Sequence, residues 1–266
     1  MKIISRFYAH HFSAFGDYSV LSLHRKAINF VNAQGQLFSI HPSVRYITPF
    51  GIVVSHTDFQ YLYKTLIPTQ TILCKKNQLI LNNDVHLVFS GRILNTTLHV
   101  RNIPSNHQFY LQNFDRNFSD YPLEQKKRLG LITNFLIKPN KATTLELINS
   151  IGFGRGLTPS FDDSLIGMLA ILYLKGQKER YFPILDSYLK PQFLLQNTTY
   201  LSANFILSAL QGAISYPFYR FLYKLTMPRT NFPFALANFL NYGHSSGFDT
   251  LLGMKTTLLT LQQEKI

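Results

Sequence analysis

The stretch Ser150-Ile-Gly-Phe-Gly-Arg-Gly-Leu-Thr-Pro-Ser-Phe-Asp-Asp-Ser-Leu-Ile-Gly-Met168 decides how the second half of the chain is interpreted. Its alternating glycines permit positive φ angles and leave backbone N–H groups uncovered. The apolar run from Leu165 to Leu174 predicts a buried helix after the loop. Thr158 or Ser160 is expected to cap this helix, and Ser160-x-x-Asp163 has the spacing of a capping box. The pattern therefore predicts a glycine-rich loop that opens a helix and offers an anion site at its N-terminus.

The same stretch is also compatible with a purely structural role. Capping alone explains Ser160 and Asp163, and turn chemistry explains single glycines. The stretch is not a Walker loop, because no Gly-Lys-[Ser/Thr] is present. It is not a dinucleotide fingerprint either, because its glycine spacing differs and no clear strand precedes it.

Composition excludes several classes of protein. With 266 residues, the chain permits one large domain or two small ones, and its longest apolar run is far short of the ~20 residues of a membrane span. Cys74 is the only cysteine, so no internal disulfide forms. The first residues lack the apolar segment of a signal peptide. These features predict a cytoplasmic protein with no membrane association.

The net charge of +13 suggests nucleic acid, an anionic partner or a small anionic substrate. The basic residues are scattered apart from Lys126-Lys127-Arg128, and no nucleic-acid-binding motif accompanies them. The sequence thus argues against nucleic-acid binding. No histidine pair has the spacing of a metal site, so no metal ligand is assigned.

The order of local patterns predicts an α+β fold. Short apolar runs separated by turn signals, as in Ala27–Ile40 with a turn at Asn32–Gly35, indicate a mainly antiparallel β-rich N-terminal domain over residues 1–120. Helical periodicity dominates the all-helical domain predicted over residues 121–266, including one long helix over 198–215.

A second loop-to-helix junction resembles the first. Ser246-Gly-Phe-Asp-Thr-Leu-Leu-Gly-Met254 repeats Ser160-Phe-Asp-Asp-Ser-Leu-Ile-Gly-Met168 at an offset of 86 residues. Capping does not require Gly167 and Gly253, and a glycine inside a helix costs about 1 kcal/mol relative to alanine. We therefore expect the two helices to cross at these glycines and their N-termini to converge on one cavity.

That cavity would suit a small ligand with an anionic group and amide-like N–H groups. Helix N-termini and Arg155 would bind phosphate or carboxylate. Aspartates would accept hydrogen bonds from N–H groups or hold Mg²⁺.

The stretch Gly152–Gly167 resembles the signature Gly-Leu-Gly-Pro-Gly-Leu-Thr-Pro-Ser-Gly-Asp-Asp-Phe-Leu-x-Gly of the AllH-like family. Thr198–Ala203, with Ala209-x-x-Gly212, and Gly243–Gly253 are also similar to its pattern. Arg155 replaces the usual proline of the signature, and Phe161 replaces the usual glycine before the aspartate pair. The first change adds a cation where an anion would bind, and the second reshapes the loop.

The resemblance implies a subunit of an oxamate carbamoyltransferase in allantoin and purine-nitrogen catabolism. The implied reaction converts oxalurate and phosphate into oxamate and carbamoyl phosphate, in a complex with other subunits. The alternatives are a non-catalytic subunit that binds an anion or acts as a scaffold, and a basic nucleic-acid-binding protein.

The candidate residues fall into two groups. Those predicted to be catalytic are Asp162, Asp163, Asp249 and His244. Those predicted to bind the ligand are Gly152, Gly154, Arg155, Gly156, Thr158, Ser160, Ser245 and Ser246.

Overall fold

The computed structural model describes residues 1–12, 14–75, 78–81, 85–114, 121–243 and 245–263. The chain divides into two compact units: residues 1–97 with 213–219, and residues 98–212 with 220–266. The prediction that an N-terminal domain ends at residue 120 stays a prediction, because compactness alone does not locate the end of an independently folding domain.

The first unit is built on one sheet, and its described strands are short and rich in aliphatic and aromatic residues. They are β1 (Lys2–Ile4), β2 (Phe7–Ala9), β3 (Gly16–His24), β4 (Ala27–Asn32), β5 (Leu37–His41), β6 (Gly51–Val53), β7 (Thr71–Lys75), β8 (Gln78–Leu81), β9 (Val85–Val88) and β10 (Arg92–Leu94). The strand order is β1-β9-β8-β7-β3-β4-β5-β6-β2-β10. A short 3₁₀-helix (Val44–Tyr46) and helix α1 (His56–Thr65) lie within the same stretch of chain.

Most neighbouring strands of the sheet are antiparallel, as predicted. The β4–β5 hairpin pairs Ile28 with Ile40, and Gly35 at φ +76° completes its turn. The pairs β1–β9, β2–β10 and β5–β6 are parallel. Phe59 and Leu62 of α1 join the core formed by buried strand residues such as Phe30 and Phe38.

Of the described helices that follow, the first lies within the range predicted to be β-rich, and the others lie in the predicted helical part, residues 121–266. They are α2 (Ser105–Gln112), α3 (Leu123–Ile137), α4 (Lys141–Ile148), α5 (Ser160–Leu174), α6 (Lys178–Tyr188), α7 (Pro191–Asn197), α8 (Tyr200–Leu210), α9 (Tyr216–Thr226), α10 (Phe232–Leu240) and α11 (Ser246–Gln263). This arrangement confirms the predicted α+β class, with β-rich chain first and helices after it. Within the described ranges, none of these helices combines the length and the hydropathy needed to cross a membrane.

Helix α5 is the centre of the second unit. Every residue of α5 except Tyr173 is buried. Helices α11, α8, α3 and α6 all pack against it, which explains why its sequence is apolar on all sides.

The prediction of one long helix over residues 198–215 is wrong at the C-terminal end of that helix. Helix α8 ends at Leu210, and Gly212 has φ +80°. A Cβ atom on Gly212 would lie 2.8 Å from the Tyr173 ring, so the chain turns where only glycine fits. Periodicity of apolar residues cannot detect such a stop, because the apolar pattern continues past it.

Candidate functional site

Helices α5 and α11 cross at the two glycines that the repeated sequence singled out. A Cβ atom on Gly167 would lie 2.1 Å from the carbonyl oxygen of Thr250, and one on Gly253 would lie 1.9 Å from that of Ser164. Thr250 follows Ser164 by the same 86 residues that separate the glycines, so the contact is reciprocal. The Ser164 hydroxyl also donates a hydrogen bond to the Asp249 carbonyl at 3.0 Å. The predicted helix crossing is therefore confirmed.

The first turns of α5 and α11 are formed in the same way. The second residue of each helix donates its N–H to a carbonyl of the preceding loop: Phe161 to Phe153 at 3.1 Å, and Gly247 to Tyr242 at 2.9 Å. These acceptors satisfy donors that would otherwise be unpaired at a helix start. The acceptors of these two bonds are not equivalent, but the next backbone bonds follow the 86-residue repeat: Asp163 donates to Pro159, and Asp249 donates to Ser245.

The predicted side-chain cap of α5 is wrong. The helix begins at Ser160 after Pro159, and no side chain caps it. Thr158 instead lies 2.9 Å from the Ser246 hydroxyl of the other junction. Long-range contacts between the junctions therefore replace the local capping box.

A pocket of about 1110 Å³ opens where the two junctions meet. Both junctions and the segment that leads into the first turn of α3 line it: Tyr121, Pro122, Gln125, Gly152, Phe153, Gly154, Arg155, Gly156, Leu157, Thr158, Ser160, Ser245, Ser246 and Asp249. All eight predicted ligand-binding residues and the predicted catalytic residue Asp249 are among them. Asp162 and Asp163 are not in this lining, and His244 lies outside the described residues.

Asp162 holds the glycine loop against α8. Its Oδ1 accepts a hydrogen bond from the Gly152 N–H at 2.8 Å, and its Oδ2 accepts hydrogen bonds from the hydroxyls of Thr198 and Ser202. Burial raises the pKa of Asp162, and these three hydrogen bonds oppose the rise. With both oxygens engaged inside the protein, Asp162 positions the loop.

Gly152 itself cannot be replaced easily at this anchor. Its φ is +80°, and a Cβ atom would lie 2.1 Å from the Asn197 carbonyl oxygen. The loop is fixed again by the Thr199 hydroxyl, which donates to the Leu157 carbonyl at 2.6 Å. The loop is therefore held at both ends by the chain around the start of α8.

Asp163 lies next to the Thr158–Ser246 contact and hydrogen-bonds with both residues. Its side chain is buried, and no hydrogen bond within the described part of the chain reaches its Oδ2. Burial raises its pKa well above the usual range, and the neighbouring carboxylates of Asp249 and Asp162 raise it further. Hydrogen bonds with Ser246 and Thr158 oppose the rise.

Asp249 is the carboxylate that borders the pocket. Its Oδ1 accepts a short hydrogen bond from the Tyr121 hydroxyl, while its Oδ2 is buried with no hydrogen-bond partner among the described residues. Burial raises the pKa of Asp249, and hydrogen bonds from Tyr121, Ser160 and Ser245 oppose the rise. A buried carboxylate with one unpartnered oxygen therefore lies in the wall of the pocket.

Sequence reasoning missed two residues of this region, Tyr121 and Arg128. Burial and the adjacent Asp249 raise the pKa of Tyr121, which keeps its hydroxyl protonated as a donor. The Arg128 guanidinium lies 3.7 Å from the centre of the Phe153 ring and donates to the Ser150 hydroxyl at 2.8 Å. Both lie far from their partners in sequence; only the Lys126-Lys127-Arg128 run pointed towards Arg128.

One side of the pocket consists of Arg155 and the glycine loop. Arg155 is exposed and makes no ion pair within the described ranges. The N–H groups of Gly154, Arg155 and Gly156 have no hydrogen-bond acceptor in the same part of the chain. A guanidinium and uncovered N–H groups form a suitable cradle for phosphate or carboxylate.

The aspartates do not form a metal centre by themselves. Among the described residues, no group of three or more His, Cys, Asp or Glu side chains gathers where it could hold a metal ion. Asp162 uses both carboxylate oxygens inside the protein, which leaves too few oxygen ligands for Mg²⁺ from the aspartates alone.

Two family models match the chain. Residues 2–94 match the AllH family N-terminal domain, and residues 150–258 match the oxamate carbamoyltransferase subunit AllH. The second match contains both junctions and every candidate residue named from the sequence. No solved structure matches the chain. Since the two models together leave only residue 1, residues 95–149 and the last residues unmatched, this chain belongs to the AllH family, whose C-terminal model describes a subunit of oxamate carbamoyltransferase.

Proposed function

We propose that this chain contributes the phosphate- and ureido-binding pocket of an oxamate carbamoyltransferase. The reaction would convert oxalurate and phosphate into oxamate and carbamoyl phosphate, in allantoin and purine-nitrogen catabolism. The other subunits of the cytoplasmic enzyme would be its partners.

One observation carries this proposal: the pocket combines two opposite kinds of binding group. Arg155 and the uncovered N–H groups of the loop offer positive charge, while the unpaired Oδ2 of Asp249 offers a buried acceptor. Oxalurate has a carboxylate at one end and ureido N–H groups at the other, and phosphate is a second anion. A pocket of about 1110 Å³ is large enough for both molecules.

Asp249 is the group that would contact the reacting part of the substrate. Its free oxygen would accept a hydrogen bond from a ureido N–H, because an ionised carboxylate offers only acceptors. Arg155 would bind phosphate through its planar guanidinium, and the loop N–H groups would stabilise negative charge that develops during transfer. Asp162 and Tyr121 would position these groups.

The variants Arg155→Gln and Asp249→Asn separate the two ends of the pocket. We expect Arg155→Gln to weaken phosphate binding to the full chain about tenfold, equal to ~1.4 kcal/mol. We expect Asp249→Asn to lower turnover of the assembled enzyme about 10²–10⁴-fold, the usual range for loss of an acid–base group. Arg45→Gln is the matched control, because Arg45 is exposed and belongs to the other compact unit.

Binding is measured by calorimetry and thermal shift with phosphate, oxalurate and carbamoyl phosphate, since a ligand that binds the folded state raises its stability. No response to any of the three compounds would contradict the proposal. Ligand binding with full turnover of Asp249→Asn would instead favour a non-catalytic, anion-binding subunit.

A further inference from the structure

Asp163 and Asp249 occupy equivalent positions in the two junctions. Each is the fourth residue of its helix, and each donates its backbone N–H to the residue four positions earlier, at 3.2 Å and 2.9 Å. The exposed fraction is 6% for Asp163 and 0% for Asp249. In each carboxyl group, Oδ2 is buried and has no hydrogen-bond partner in the described part of the chain. Two such groups are costly to bury if both are ionised.

The surroundings of these two carboxyl groups differ. Asp249 borders the pocket and accepts the Tyr121 hydroxyl, and both features stabilise a negative charge. Asp163 lies outside the pocket lining; it shares a mutual repulsion with Asp249 on α11 and has a further carboxylate, Asp162, on its own helix. When two carboxyl groups lie close together in a buried site, their repulsion raises the pKa of one of them, and that group stays protonated.

We propose that the two equivalent aspartates hold opposite protonation states at neutral pH, Asp163 as a neutral carboxylic acid and Asp249 as the carboxylate that transfers a proton between the substrates. This assignment rests on the proposed function for its chemical step, whereas the protonation states themselves do not depend on it. A neutral Asp163 leaves one negative charge instead of two in this pair, which favours entry of the phosphate dianion.

The proton transfer through Asp249 balances the reaction. An oxygen of hydrogen phosphate forms a bond to the carbamoyl carbon of oxalurate, and its proton passes to the carboxylate of Asp249. The bond between that carbon and the oxamate nitrogen breaks, and the electron pair goes to the nitrogen. The nitrogen then takes the proton from Asp249, which returns to a carboxylate as oxamate and carbamoyl phosphate leave.

The titratable groups around the pair agree with this assignment. Burial raises the pKa of both aspartates, that of Asp163 well above the usual range, and their mutual repulsion opposes ionisation of both at once. Tyr121, before α3, donates to Asp249, and Arg155 lies on the loop that lines the pocket. On α8, Ser202 donates its hydroxyl to Asp162, which keeps that carboxylate ionised beside Asp163.

Infrared spectroscopy of the ligand-free full chain tests the assignment. At neutral pH we expect one carboxylic-acid C=O band that shifts when aspartate side chains carry ¹³C at the carboxyl carbon. The band should disappear in Asp163→Asn and remain in Asp249→Asn. It should also remain in the control Asp186→Asn, because Asp186 is an exposed residue on α6. If Asp163→Asn does not fold, the test rests on the other two samples: the band should be present in the labelled wild type and should remain in Asp249→Asn.

A wild-type chain without the band, or a band that disappears with Asp249→Asn, would overturn the assignment. In the assembled enzyme, turnover of Asp163→Asn should stay within about tenfold of wild type while Asp249→Asn loses at least about 100-fold. Equal losses in both variants would overturn the division of roles. The expected bands without any ligand binding would refute the proposed function and leave the protonation states standing.

Discussion

The two loop-to-helix junctions share a backbone and differ in what holds them. In the first, Asp162 anchors the loop through Gly152, Thr198 and Ser202. The equivalent residue in the second is Phe248, whose ring packs edge-on against Phe114 and Tyr121. A polar anchor therefore stands at one junction where an aromatic anchor stands at the other.

The loops differ as well. The first contains three glycines with positive φ, at residues 152, 154 and 156, whereas the described part of the second contains only Gly243. Uncovered N–H groups and Arg155 are consequently concentrated on one side of the pocket, and the pocket-facing carboxylate Asp249 comes from the other. Two helices with equivalent backbones thus carry different side chains at the pocket, which suits the asymmetric ligand proposed above.

The largest effect is expected where the shared frame is broken. Gly253→Ala would place a Cβ atom 1.9 Å from the Ser164 carbonyl oxygen, and Gly167→Ala would place one 2.1 Å from that of Thr250. We expect either change to lower the free energy of unfolding by about 3 kcal/mol, the cost of overpacking a rigid contact. Urea denaturation measures the loss.

Gly130→Ala is the matched control for the helix crossing. Gly130 is also inside a helix, α3, but a Cβ atom there meets nothing within 4 Å. This variant should gain about 1 kcal/mol, because alanine favours helix more than glycine does. If Gly253→Ala were no more destabilising than Gly130→Ala, the close contact of α5 and α11 would be refuted.

The difference between the two aspartates can be sharpened through pH. Burial raises the pKa of Asp163 and Asp249 above the value near 3.9 of an unfolded chain. The folded state therefore binds more protons, and stability falls as pH rises from about 4 through the raised pKa values. The fall reaches about 1.4 kcal/mol per pH unit for each proton.

We expect Asp163→Asn to flatten this decline, because asparagine does not titrate. Thermal unfolding between acidic and neutral pH gives the slope, and Asp186→Asn serves as the exposed control. A slope unchanged by Asp163→Asn would mean that Asp163 is not the strongly perturbed group.

The smallest effect is expected at the link between the junctions. Thr158 and Ser246 share a hydrogen bond of 2.9 Å. Thr158→Ala and Ser246→Ala should therefore be non-additive in the free energy of unfolding, with a coupling of about 1 kcal/mol. Thr143→Ala, whose side chain bonds only around the start of α4, should add to Ser246→Ala without coupling. Strict additivity of the first pair would contradict the link.

The sequence predicted the pairing of the junctions because the repeat records it directly. Gly167 and Gly253 disfavour helix formation, so a close approach of the two helices was the simplest explanation for them. The structure contains that close approach. The β-rich first part was recognisable from turn signals such as Asn32–Gly35. Its parallel pairs, such as Lys2 with His86, could not be predicted, because no local pattern records which distant strands become neighbours.

The roles of adjacent aspartates were beyond sequence reasoning. Asp162 and Asp163 are neighbours on a helix, so their side chains point about 100° apart, and only the packing of α8 and α11 decides which one meets the loop. Tyr121 reaches Asp249 across 128 residues of chain, with no local signal. The capping box failed for the same reason, because Ser160 and Asp163 hydrogen-bond with Asp249 and Ser246 of the opposite junction.

The position of the helix crossing also determines which parts of the pocket evolution can change. The glycine contact lies four residues from Asp163 and from Asp249, a distance of only ~6 Å at 1.5 Å per residue. A rotation of about 5° at the crossing would then displace these aspartates by only ~0.5 Å. If the pocket binds substrate as proposed, exchanging residues 153–157 would change the substrate range most readily, while the reaction geometry would stay constant. Loop swaps among related chains should yield new substrate preferences more often than changes in α5 or α11.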